Sequence, residues 1–308
     1  MSNLQTHINN YLEYCQYQKR LDAKTLKAYR IDLSQFNTNF PSVDILEISP
    51  DKLENYIALL HQKYQPKTVK RKIASLKAFF HYLEYKDMIT YNPFNKIQIK
   101  FREPLILPKT ISLHTIEILL STMYMQHSLA KTSFQKKKTL RDIAVTELLF
   151  ATGMRISEIC SLKPIDINLD DKVILIYGKG SKERKIQLCN DDVISSLKNY
   201  QYSFKYEIEN NEYFFINQKG NKLSEQSVRE MLNKYTRIAN ISQHITPHMF
   251  RHTFATLLLE EDVDIRYIQE MLGHSSINVT EIYTHVAMAK QKNILTSKHP
   301  RKNLNVIK

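Results

Sequence analysis

Residues 65–85 read QPKTVKRKIASLKAFFHYLEY. Val69, Ile73, Leu76, Phe80 and Leu83 recur at helical spacing and form one apolar stripe, and Pro66 sits where a first helical turn tolerates it. The spacing therefore predicts a long amphipathic helix. Its remaining faces carry Lys67, Lys70, Arg71, Lys72 and Lys77, with no acid before Glu84. A solvated face is the plain reading of such a run; a surface that meets phosphate is the functional one.

Working outward, residues 3–100 look helical throughout. LQTHINNYLEYCQYQKRL (4–21) carries apolar and aromatic residues at helical spacing, and the segment after it places Leu26, Tyr29, Leu33 and Phe36 on one side. YNPFNKIQIKFREPLILPKTIS (91–112) breaks the pattern with Pro93, Pro104 and Pro108, so a linker is expected over about 92–111. We set the domains at 1–100, a linker at 101–111 and a second unit at 112–308. That unit should begin with a helix near LHTIEILLSTMY (113–124). A basic interruption, AKTSFQKKK (130–138), then precedes a helix in LRDIAVTELLFATG (140–153). DKVILIYGKGSKERKIQL (171–188) reads as a β-hairpin around a glycine-bearing turn. Helices are expected again at 191–202, 224–239, 247–260 and 264–272, and around Tyr283. The fold class is mainly α with one small β-hairpin sheet.

At 308 residues the chain is long for one core, and 43% hydrophobic with 24% charged residues is ordinary globular composition. No apolar run approaches the roughly 20 residues that cross a bilayer. The start, MSNLQTHINNYLEYC, lacks the basic and apolar regions of a secretory signal. Cys15, Cys160 and Cys189 are few, scattered and odd in number, which argues against a disulfide framework and fits a reducing cytoplasm. The balance of 44 Lys and Arg against 31 Asp and Glu, a formal charge of +13, favours a polyanionic partner, with nucleic acid ahead of a membrane surface.

Four stretches of the second unit hold polar groups that packing does not explain. In ATGMRISEI (151–159), Arg155 follows a glycine-broken helix end, and Glu158 lies three residues on, within pairing distance on a helix. In GKGSKER (178–184), Lys179 stands between two of the chain's five glycines, where a tight turn projects its ammonium. In TPHMFRHTFATLLLE (246–260), Phe250, Phe254 and Leu257 define the expected buried stripe, and His248 and Arg251 share another face. His248 and His252 have zinc-like spacing, but Met249 stands where the glutamate of HExxH belongs, so no metal site is expected. In LGHSSINVTEIYTHV (272–286), His274 follows Gly273, and Tyr283, one of 18 tyrosines, comes nine residues later.

Together these groups suit one reaction. Two arginines can hold the non-bridging oxygens of a phosphate and neutralise charge as phosphorus becomes pentacoordinate. Two histidines suit proton transfer, a lysine can protonate a leaving alkoxide, and a tyrosine can attack phosphorus once activated. No carboxylate cluster of the magnesium-holding kind accompanies them. Metal-free phosphoryl transfer through a phosphotyrosine is the expected chemistry, with no cofactor.

Here the chain resembles the tyrosine recombinases, the phage-integrase family, and in particular its short Xer-like members. The likeness spans nearly the whole length, including KTLKAYRIDLSQF (24–36), similar to the start of a SAM-like core-binding domain, and the LPK of the linker. The resemblance implies an N-terminal SAM-like helical domain and a C-terminal catalytic domain that together clamp DNA in a C shape. It implies that Arg155, Lys179, His248, Arg251 and His274 serve catalysis, that Glu158 supports Arg155, and that Tyr283 is the nucleophile. It further implies binding to double-stranded DNA with inverted half-sites, a homotetramer on DNA, a Holliday-junction intermediate, and in some members a second recombinase or accessory protein. The biological task would be dimer resolution or integration and excision of a mobile element. One departure is the long stretch TMYMQHSLAKTSFQKKKT (122–139) between the first two catalytic-domain helices. Two rivals are kept: a type IB topoisomerase that relaxes DNA alone, and a non-catalytic DNA-binding protein.

Overall fold

The computed structural model describes residues 4–41, 43–99, 101, 109–178 and 183–273. The chain divides into two compact units, Met1–Leu105 and Ile106–Lys308.

The first unit is helical. α1 (Leu4–Glu13) runs on into a wider turn at Tyr14–Gln18, and α2 (Ala23–Asn39), α3 (Pro50–Lys63) and α4 (Pro66–Tyr85) follow. Helix starts are chemically marked. Asp22 accepts the Thr25 N–H at 2.9 Å, Ser49 caps α3, and prolines occupy the first turn of α3 and α4. The stripe Val69, Ile73, Leu76, Phe80 and Leu83 is buried, as are Leu33 and Phe36 of α2. Phe36 meets Tyr56 of α3 and Phe80 of α4 edge-on, with centroids 5.2 and 6.0 Å apart, so three helices close on one aromatic cluster. Deleting such a ring costs about 3–5 kcal/mol.

Two expectations need correction here. Lys72 does not belong to the solvated basic face: it is only 3% exposed. Its ammonium lies 3.1 Å from buried Asp32, which also accepts from Ser75 at 2.8 Å and pairs with Arg71. Lys72 also bonds Gln35 and sits 4.7 Å from the Tyr64 ring centroid. A buried carboxylate must be neutralised, and Lys72 does that inside the fold. Lys67, Lys70, Arg71 and Lys77 do lie on the exposed side of α4. Second, the linker does not begin near residue 92. Asn92 caps a short 3-10 turn, Pro93–Lys96, and Phe94 and Ile97 are buried in the first unit's core.

The second unit is built around α5 (Leu113–Ser128) and α6 (Ser133–Thr152). The expected basic interruption is mostly helix: only residues 129–132 separate the two. Thr132 accepts the Gln135 N–H at 3.1 Å while the Gln135 side chain accepts the Thr132 N–H at 3.3 Å, a capping box that starts α6 ahead of its lysine run. His127 Nδ1 lies 2.7 Å from Thr139 Oγ1 and ties the two helix ends together. Apart from residues 129–132, the long stretch 122–139 is thus helix rather than an inserted loop. Farther along α6, Ile143, Ala144, Val145, Leu148 and Leu149 are buried in the unit's main core.

α7 (Ile156–Ser161) leads to a three-stranded antiparallel sheet, β1 (Ile167–Asn168), β2 (Val173–Tyr177) and β3 (Glu183–Gln187), in that order. The expected hairpin pairs Ile174 with Ile186 and Ile176 with Arg184. Ile174, Ile176 and Ile186 are buried, so the face shared by Arg184 is the inner one. α8 (Asp191–Ser203), α9 (Lys205–Glu209), α10 (Glu225–Ile238), α11 (Pro247–Glu260) and α12 (Ile265–Leu272) complete the described part. On α11 the buried side is Met249, Phe250, Thr253, Ala255 and Leu259; Phe254 and Leu257 are only half-buried. Phe254 instead packs on a satellite cluster with Ile268 and Leu272 of α12, which shifts the buried stripe from the expected one. Among the described residues no helix is long and apolar enough to cross a membrane.

Candidate active site

The site is assembled from helix ends. α6 stops at Gly153, whose left-handed backbone (φ 58°) suits glycine and lets the chain reverse direction. Two residues later Arg155 occupies the position just before α7. There its backbone N–H donates to Glu158 Oε2 at 2.8 Å, and its guanidinium Nη1 donates to Glu158 Oε1 at 2.8 Å. The expected Arg155–Glu158 pair is present, with Arg155 at the helix entrance rather than within it.

Arg251 is 6% exposed on the inner side of α11. Its Nη1 donates to the Gly153 carbonyl at 2.8 Å and its Nη2 to the Leu272 carbonyl at 2.7 Å, so one guanidinium ties the ends of α6 and α12. Helix ends present unsatisfied carbonyls and partial negative charge, which is why a buried cation is tolerated there. Burial first, and then the charges of Arg155 and Arg184, push the Arg251 pKa down to about 9. It therefore stays protonated at neutral pH.

A third arginine, Arg184 of β3, was not singled out from the sequence. Its Nη2 and Nη1 donate to Glu158 Oε2 and Oε1 at 2.7 and 3.1 Å, and its Nε donates to the Met271 carbonyl at 2.9 Å. The signal was the strand period. Arg184, Ile186 and Leu188 alternate onto one face, and a cation among apolar neighbours requires a buried acid. Burial alone raises the Glu158 carboxyl, but hydrogen bonds from Arg184 and Arg155 outweigh it and hold the group below the usual carboxylate range. The carboxylate is thus ionised at neutral pH and faces three cations, a surplus of two positive charges within this group of four. Arg155, Glu158, Tyr177, Gly178, Arg184 and Gly273 line one open cleft.

His248 lies on the first turn of α11, exposed and one helical turn before Arg251. Desolvation, followed by the charges of Arg251, Arg229 and Arg155, lowers its pKa, so the ring is neutral at pH 7 and able to accept a proton. The structure thus brings together Arg155, Glu158 and Arg251, with His248 beside them. Lys179, His274 and Tyr283 lie outside the described residues. The chain reaches the cleft at Gly178 and Gly273, each one residue before an expected catalytic group.

The phage integrase family model matches residues 124–290, and the model of the phage integrase N-terminal SAM-like domain matches residues 8–86. The chain belongs to the phage integrase family. Its members are tyrosine recombinases, DNA breaking and rejoining enzymes. The chain is 63% identical to a tyrosine recombinase of Agathobacter rectalis over 305 residues, covering 99% of this chain and 100% of that one. It is 32% identical to the tyrosine recombinase XerC of Bacillus pumilus, over 98% of each chain. In fold it is similar to the XerH site-specific recombinase in a post-cleavage complex with palindromic difH substrate. That likeness has a TM-score of 0.72 at 24% identity and covers 92% of this chain and 83% of that one. The mainly helical recombinase fold with its small antiparallel sheet, expected from the sequence, is the fold found.

Proposed function

We propose that this recombinase cuts and rejoins duplex DNA at inverted half-sites through a 3′-phosphotyrosyl intermediate, in the manner of the short Xer-like enzymes. The observation that carries the reading is the guanidinium cluster. Arg155 and Arg251 are fixed by buried Glu158 and by backbone carbonyls at the ends of α6 and α12. Such pre-positioned cations can bind a phosphate without reorganising during the reaction, and losing one electrostatic donor of this kind costs on the order of 10²–10³ in rate.

In this mechanism the Tyr283 phenol oxygen bonds to phosphorus as the bond to the 5′-oxygen breaks. The departing 5′-oxygen takes a proton from Lys179, and neutral His248 accepts the phenol proton. Arg155, Arg251 and His274 hold the pentacoordinate phosphate. The free 5′-hydroxyl of one duplex then attacks the phosphotyrosine of its partner, which releases the phenol and joins the strands. Two such exchanges, through a Holliday junction in a homotetramer, complete recombination without ATP, because the covalent link conserves the bond energy. Residues 1–100 and 112–308 serve as the core-binding and catalytic domains, with Lys67, Lys70, Arg71 and Lys77 of α4 facing the DNA backbone. Cys15, Cys160 and Cys189, with no disulfide between them, fit work in a reducing cytoplasm.

The test is a nicked suicide half-site followed by a denaturing gel. Wild-type protein should accumulate a covalent adduct, and Tyr283→Phe should form none while keeping half-site affinity within several-fold. An adduct that persists in Tyr283→Phe refutes the assignment. Relaxation of a supercoiled plasmid lacking any cognate site, at substoichiometric protein, would point to the topoisomerase reading.

A further inference from the structure

We infer that Arg184 is a positioning residue for phosphate transfer: it orients Arg155 through their shared carboxylate and pins the end of α12, which leads into the tyrosine-bearing segment. This rests on the recombinase reading above.

Each of the three Arg184 side-chain nitrogens has a partner. Two take both oxygens of Glu158 in a forked pair, and the third takes the Met271 carbonyl. The side chain is nine-tenths buried, so its role is inward. Glu158 in turn holds Arg155 twice, through its backbone N–H and its guanidinium. Without Arg184 the carboxylate would keep Arg155 but lose the fork that fixes its plane, and Arg155 would gain rotational freedom. The end of α12 is gripped in the same way. Consecutive carbonyls Met271, Leu272 and Gly273 accept from Arg184, Arg251 and Arg155, the last at a long 3.4 Å. Gly273 is suited to this grip on two counts. Its φ is +63°, and a Cβ there would come within 2.8 Å of Arg184 Nη1. Arg184 therefore joins β3, the start of α7 and the end of α12 at one point. Two of these elements carry, or lead within a few residues to, Arg155 and His274, and the third follows Lys179 by four residues in sequence.

The test is a double-mutant cycle on the full-length protein with the suicide half-site, measuring the cleavage rate at saturating DNA, half-site Kd and thermal midpoint. Arg184→Ala should cleave roughly 10- to 100-fold slower, by analogy with the loss of residues that orient metal-ligating side chains, while Kd changes by less than about threefold. Adding Arg184→Ala to Glu158→Ala should slow cleavage by less than Arg184→Ala does alone, because part of its effect runs through the shared carboxylate and the rest through the Met271 carbonyl. Should Arg184→Ala fail to fold, Arg184→Lys keeps the charge but not the fork and should show the same loss at saturation. Losses that multiply in the double variant overturn the inference, as does a defect confined to Kd. If wild-type protein forms the Tyr283-dependent adduct and Arg184→Lys matches it, the inference alone fails. If wild-type protein forms no adduct, the recombinase reading fails first.

Discussion

Replacing Gly153 by alanine tests whether the turn after α6 is built as tightly as the site requires. Alanine would have to hold φ at +58°, which costs about 1–2 kcal/mol in the left-handed region. Its Cβ would also stand 2.8 Å from Phe254 Cδ1 and 2.9 Å from Leu272 Cδ2. Neither atom belongs to a loose surface chain. Leu272 is 1% exposed, and both side chains pack in the cluster that joins α11 to α12. Overpacking of this kind costs about 1–3 kcal/mol, so the whole penalty is about 2–5 kcal/mol. For a unit of this size, 1 kcal/mol lowers the midpoint by about 2–4 °C, and a mid-range penalty of about 3 kcal/mol lowers the catalytic unit's transition by roughly 6–12 °C. The assay is calorimetry of the full-length protein, with Gly220→Ala as control. Gly220 has φ +74° but nothing within 4 Å of an added Cβ, so it carries the backbone cost alone. A second readout is cleavage at a temperature where both variants are folded. Phe254 and Leu272 must move aside, and the Leu272 and Gly153 carbonyls that hold Arg251 move with them. Equal midpoints for the two variants would refute the close packing inferred at this turn.

The α4 cations should separate by role. Lys77→Ala should weaken half-site binding and flatten its salt dependence by about one phosphate's worth, with little change in stability. Lys72→Met should destabilise the first unit by roughly 2–4 kcal/mol, because buried Asp32 loses one of its cations; urea unfolding and a salt titration of DNA affinity distinguish the two. The His248 pKa is lowered relative to its unfolded value near 6.5, so the unfolded chain binds more protons below that pH. His248 therefore stabilises the fold above pH 6.5 and loses that contribution as the pH falls through its lowered native pKa. Proton NMR of the DNA-free protein should show this ring titrating below 6.5, and a midpoint above 6.5 would contradict the crowding by Arg251, Arg229 and Arg155.

Much of the fold was legible because apolar periodicity is a local signal. The stripes of α2 and α4 and the alternation of β2 each follow from side chains a few residues apart. What was misread depended on partners distant in sequence. Lys72 looked like part of a solvated run because its counter-ion, Asp32, lies a helix away. The start of α6 was hidden by lysines with no apolar period, although the Thr132 and Gln135 pair, spaced as a capping box, marked it. The Arg155–Glu158 pair was legible because its members are three residues apart. Arg184 was not, because its acid is in another element, and only the alternation with Ile186 betrayed its inward direction. On α11 the helical period placed Phe250 correctly, but which neighbouring residues are fully covered was decided by α12, which packs against Phe254.

The most direct measurement is peptide mapping by mass spectrometry of the covalent adduct trapped on a suicide half-site. The account predicts a single modified residue, Tyr283, joined to a DNA 3′-phosphate, with a free 5′-hydroxyl on the released strand. Attachment through any other side chain, or a 5′-phosphate linkage, would contradict it.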